Sequence, residues 1–130
     1  MLVPVDVVSI ALNALMTLLF LPLAFRPPAR NALYGYRTAR SMSSDAAWEY
    51  ANKLAGRISL PFAACSTAAA VLCIGIKYGT ELPFLPYGTA FTLVPSVLGL
   101  FAAIAVTEIK LAKKAADGSF GPSDIDLRRK

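Results

Sequence analysis

A chain of 130 residues has room for one domain, and this one is 56% hydrophobic with only 16% charged residues. A soluble domain needs about a quarter of its residues charged to cover its surface, so this composition, with a mean hydropathy of +0.56, argues against a water-soluble fold. The net charge is +5 and there is no His, which removes the usual acid–base group at neutral pH; no nucleic-acid-binding motif accompanies the basic residues.

The first apolar run extends from Leu2 to Phe25, with Asp6 and Asn13 as its strongly polar residues. It is long enough to cross about 30 Å of hydrocarbon as a helix. An acid stands where a signal peptide carries its basic residues, so a retained helix is expected. Pro27 and Pro28 end it. The loop over 26–57 opens irregularly and turns helical from Ser44, where Ser43 or Ser44 can cap and Asp45 suits the first turn. Ala47, Ala51, Leu54 and Ile58 recur at helical spacing, which predicts an amphipathic helix along the inner membrane surface that feeds the second span at Arg57, where Trp48 and Tyr50 could sit at headgroup depth.

The second span runs over 58–76. Ala63, Ala64, Ser66, Ala68, Ala69 and Ala70 make it suited to close helix packing. Cys65 and Cys73 lie eight positions apart within it, about 12 Å along a helix and too far to bridge; they read as small buried hydrophobes. Gly79, Pro83, Pro86 and Gly88 break the chain before a third span over 87–109. The fold class is therefore an all-α membrane protein with three transmembrane helices and an inner amphipathic interfacial helix. Residues 1–112 form the membrane domain and 113–130 a flexible cytoplasmic tail.

Orientation follows from charge. Residues 26–57 carry six basic residues against two acids, and the tail from Lys110 carries six against three. Three spans place both segments on one side, and the positive-inside rule makes that side cytoplasmic, with the N-terminus outside. Anionic lipid headgroups are the expected contacts of such segments.

Within the inner loop, Asn31, Gly35, Arg37, Thr38, Ser41, Trp48, Asn52 and Gly56 form the pattern N-x3-G-x-R-T-x2-S-x6-W-x3-N-x3-G. This pattern, over about residues 26–76, resembles the signature of the SdpI family of bacterial membrane proteins. The resemblance implies a place in the bacterial cell membrane and a role in toxin immunity and signalling. The family's founding member protects its producer from a secreted toxic peptide and holds a transcriptional repressor at the membrane. It is longer, with further spans ahead of the signature module.

Read physically, Gly35 can supply a positive φ. Arg37 and Arg40 offer planar donors for a phosphate or a carboxylate. Thr38 and Ser41 can satisfy a compact turn, Trp48 can anchor the helix, Asn52 can bond to the loop, and Gly56 allows close approach. These residues are candidates for binding a ligand or partner, with a purely structural role as the alternative. Asp6, Asn13 and Glu108 are intramembrane polar candidates. Asp6 is expected to be hydrated near the outer boundary, Asn13 to hydrogen-bond between helices, and Glu108 to pair with Lys110, Arg57 or Arg26. The sequence offers no nucleophile–base pair, metal cluster or phosphate loop, so neither an enzyme nor a cofactor or metal is expected. A non-catalytic immunity or signalling protein leads, against a small oligomeric transporter or channel, or an accessory subunit of a larger complex. A homo-oligomer or a membrane-protein partner is expected, since lipid gives three helices no apolar drive to associate.

Overall fold

The computed structural model describes residues 4–80 and 88–120. The turn formers Pro83 and Pro86, and the tail from 121, lie outside them. Four helices are described: α1 (Pro4–Phe25), α2 (Asp45–Gly79), the single turn α3 (Gly88–Phe91) and α4 (Leu93–Ala116). Three stretches, Pro4–Phe25, Asp45–Gly79 and Thr89–Ala116, are long and apolar enough to cross a membrane. The protein is a multi-pass α-helical membrane protein.

Helix ends follow local chemistry. Arg26 N–H closes the last turn of α1 on the Pro22 carbonyl at 2.8 Å before the Pro pair. Ser44 caps α2, its hydroxyl accepting from Ala47 N–H at 3.1 Å. α4 closes with Gly118 at φ +71°: Ser119 N–H reaches the Lys114 carbonyl at 3.0 Å and Gly118 N–H the Ala115 carbonyl at 3.2 Å. That paired closure is the Schellman arrangement.

Two boundaries differ from the sequence expectation. The amphipathic segment from Asp45 is not a separate surface helix; it is continuous with the second span in one helix of 35 residues. The helix runs through Arg57 even though Pro61, inside it, has no N–H to donate to the Arg57 carbonyl. The third helix likewise runs past Ile109 to Ala116. Its last turns pack on the start of α2, where Leu111 is buried with Ala47 and Ala51 against Tyr50 and Phe120.

α2 lies between the other two long helices, and each packs along it while touching the other little. The faces that meet are small and polar. Ser9 and Asn13 on α1, Ser59, Ala63, Ser66 and Ala70 on α2, and Ser96, Gly99, Ala103 and Thr107 on α4 are all buried. Large side chains such as Leu18, Leu72, Leu98 and Phe101 point outward. Lipid is as apolar as leucine, so nothing drives such side chains inward; close contact between small residues and interhelical hydrogen bonds hold the helices instead. Gly56 shows how close: a Cβ there would collide with the backbone of Leu23 and Ala24. Cys65 and Cys73 are both free thiols, and neither is buried as expected: Cys65 is exposed and Cys73 half-buried, because the buried face of α2 is the one that carries Ala63, Ser66 and Ala70.

Candidate functional site

The loop between α1 and α2 is folded, and its motif residues fold it. Asn31 Oδ1 accepts from the N–H groups of Leu33 and Tyr34, both at 2.9 Å, and so turns the chain back. Gly35 follows at φ +123° and lies on α2; a Cβ there would stand 2.5 Å from Asn52 Oδ1 and 2.9 Å from the Trp48 ring. Only glycine fits that conformation and that space. Asn52 is fully buried. Its Oδ1 accepts from Tyr36 N–H at 2.6 Å, while its Nδ2 donates to the Trp48 carbonyl at 2.9 Å. Trp48 donates from Nε1 to the Pro28 carbonyl at 2.7 Å. Only 2% of it is exposed. The loop covers it, because the ring is the surface on which the loop rests.

Beyond Gly35 a second turn forms. Ser41 Oγ accepts from Thr38 N–H and donates to the Tyr36 carbonyl, both at 2.8 Å. Thr38 Oγ1 accepts in return from Ser41 N–H at 3.3 Å. Arg30 ties the loop to the start of α2, donating to the Met42 carbonyl at 2.8 Å and pairing with Asp45 at 3.2 Å.

The two tyrosines flanking Gly35 carry the loop across the helices. Tyr34 donates its hydroxyl to the Leu19 carbonyl on α1. Tyr36 Oη lies 3.1 Å from Glu108 Oε1 and 3.2 Å from the Ile104 carbonyl on α4. Burial raises both phenols above the ordinary tyrosine range, and the Glu108 charge raises Tyr36 further. Both therefore stay protonated donors at neutral pH. Residues 34–36 form a strap from α1 over α2 to α4. Neither tyrosine occupies a motif position, although their place on either side of the glycine was the available signal.

Glu108 pairs with Arg40 at 2.9 Å, not with Lys110, Arg57 or Arg26. The loop brings Arg40 over α4, whereas Arg57 turns to the Ala24 carbonyl at 3.4 Å. Asp6 also departs from expectation. It is fully buried rather than hydrated, held by Lys77 Nζ, the Tyr78 hydroxyl and the Thr89 hydroxyl, each at 2.7 Å. Three donors replace the water that a lone carboxylate would need. Asn13 makes its interhelical contact by donating to Thr92 Oγ1 at 3.1 Å. Asp6 and Asn13 thus belong to the end away from the loop, and Glu108 to the loop end.

One motif side chain is left over. Arg37 is exposed, and among the described residues it has no hydrogen-bond or charge partner. It stands at the rim of a groove of about 440 Å³ under the strap. Met16, Leu19 and Phe20 of α1 form one wall, Leu100 and Ile104 of α4 the other, with Ala55 and Ser59 of α2 as floor.

Fold and loop together define a class: a multi-pass helical membrane protein whose first loop is a folded, basic platform docked on one end of its helices. Within that class, the chain belongs to the SdpI/YfhL protein family, whose model matches residues 29–107. That match takes in the whole motif and continues through α2 into α4, further than the residues on which the resemblance rests. A search of curated proteins and a search of solved structures each returned no match.

Proposed function

We propose that this protein is a non-catalytic membrane protein of the toxin-immunity and signal-transduction type, whose first loop uses Arg37 to recognise an anionic lipid headgroup or a protein partner. The observation that carries this reading is the contrast within the motif. Asn31, Thr38, Ser41, Trp48 and Asn52 spend their polar groups on the loop itself. Gly35 makes room for the loop on α2 and Gly56 for α1, and Arg40 is taken by Glu108. A structural role explains all of these and leaves Arg37 unexplained. Its guanidinium is a planar fork suited to carboxylate or phosphate. In this reading the loop and the tail face the cytoplasm of a bacterial cell, as their basic charge requires.

A transporter reading would need Asp6, Asn13 and Glu108 on one cavity. Asp6 and Glu108 are instead engaged in separate networks at opposite ends of the helices, so that reading gains nothing. Survival of bacteria challenged with a secreted killing peptide, of the kind the founding family member resists, tests the proposal. Cells expressing the protein should survive at higher peptide doses than empty cells, and Arg37→Ala should remove that margin at equal membrane abundance. Equal killing of expressing and empty cells would reject immunity as the role.

A further inference from the structure

We propose that the groove beneath the strap holds one acyl chain of an anionic phospholipid from the loop-side leaflet, with its phosphate on Arg37. The inference deepens the reading above. It rests on that reading only for Arg37 as a recognition point beside the membrane, not for toxin immunity.

Two observations converge. The first is the shape and chemistry of the groove. Its walls are Leu19, Phe20, Leu100 and Ile104, and it runs between two helices that each pack on α2 but hardly on one another. A volume of about 440 Å³ has room for on the order of fifteen groups of roughly 30 Å³ each, the scale of a single hydrocarbon chain. In a bilayer such a cleft fills with lipid, because neither water nor a void is favourable there.

The second is charge. Both acids of the loop are already committed, Asp45 to Arg30 and Glu49 to Lys53, and Glu108 is committed to Arg40. Arg26 and Arg37 have no side-chain partner among the described residues, so the loop surface carries excess positive charge where a headgroup would sit. Arg37 alone of the two borders the groove. A cationic rim on an apolar slot matches an anionic amphiphile and disfavours both a zwitterionic lipid and a purely apolar peptide segment.

The test is lipid retention by the full chain, purified in mild detergent and analysed by native mass spectrometry. It is titrated with phosphatidylglycerol, with phosphatidylcholine of the same acyl chains, or with inorganic phosphate. Phosphatidylglycerol should bind at one site at least tenfold more tightly than phosphatidylcholine. Arg37→Gln should reduce it to the phosphatidylcholine level. Leu100→Trp fills the groove from a position that is 39% exposed, so the fold has room for it, and it should weaken both lipids while helix content by circular dichroism is unchanged. Millimolar inorganic phosphate should not displace the lipid, since the chain supplies much of the binding. Equal retention of the two lipids, an unchanged Arg37→Gln variant, displacement by phosphate alone, or retention of an apolar peptide in place of lipid would each overturn the proposal. Retention needs no toxin, so failure of the immunity reading would leave this result standing, and the converse holds.

Discussion

Gly35→Ala should lift the strap off α2 without disturbing the spans. At φ +123° an alanine backbone costs about 1–3 kcal/mol. Its Cβ would also sit 2.5 Å from Asn52 Oδ1 and 2.9 Å from the Trp48 ring. Overpacking of that kind adds about 1–3 kcal/mol. Neither neighbour can yield, since both are fixed by hydrogen bonds to Pro28 and Tyr36. The combined cost, about 2–6 kcal/mol, is of the order of what burying a Trp side chain contributes, about 3–5 kcal/mol, so release of the loop competes with strain in place. Trp48 is the chain's only tryptophan, and its own fluorescence reports the outcome. In Gly35→Ala the emission should move to longer wavelength and become open to iodide quenching, with helix content preserved. Gly75→Ala is the control, because a Cβ at Gly75 meets nothing within 4 Å. Identical quenching in the two variants would refute the account of the loop.

Three further outcomes follow from the charges and the packing. Single cysteines at positions 40 and 80, on a background without Cys65 and Cys73, should label from the cytoplasmic and the outer side respectively; the reverse pattern would invert the topology. Lys77→Met strands the buried Asp6 carboxylate, so it should lower thermal stability more than the double variant Asp6→Asn/Lys77→Met, which removes both charges. A double-variant loss equal to the sum of the Asp6→Asn and Lys77→Met losses would mean that the 2.7 Å pair is not coupled. Ala68→Leu, on the exposed face of α2, should weaken self-association in nanodiscs while leaving insertion intact; a single-chain mass in both forms would argue against a homo-oligomer.

Hydropathy was enough to find three spans, because length and the lack of charge are local properties that lipid imposes directly. The helix ends were less legible. The Lys-rich turn before Gly118 is a C-terminal signal, but it reads as a polar tail until Leu111 is seen buried on α2. The loop motif could be read for what each residue type permits, such as positive φ at Gly35 or close approach at Gly56. The partners of the charges could not. Asp6 meets Lys77 and Thr89, and Glu108 meets Tyr36 and Arg40, and in each case the partner sits on a different element. Such pairings depend on the rotation and depth of packed helices, which residue spacing does not encode. The cover over Trp48 was not legible for a related reason. An aromatic near a span boundary suits the interface belt, and only the folded strap shows that it is covered.

The most direct measurement is bacterial survival under the killing peptide with Arg37→Lys beside Arg37→Ala and the parent chain, all at equal membrane abundance. Arg37 has no described partner whose loss would confuse the reading, so the substitutions report on what the side chain meets outside the protein. If a planar fork grips phosphate or carboxylate with two hydrogen bonds, an ammonium cannot reproduce it, and Lys should protect almost as poorly as Ala. Full protection by Arg37→Ala would contradict the central claim, and full rescue by Lys would reduce it to a point charge.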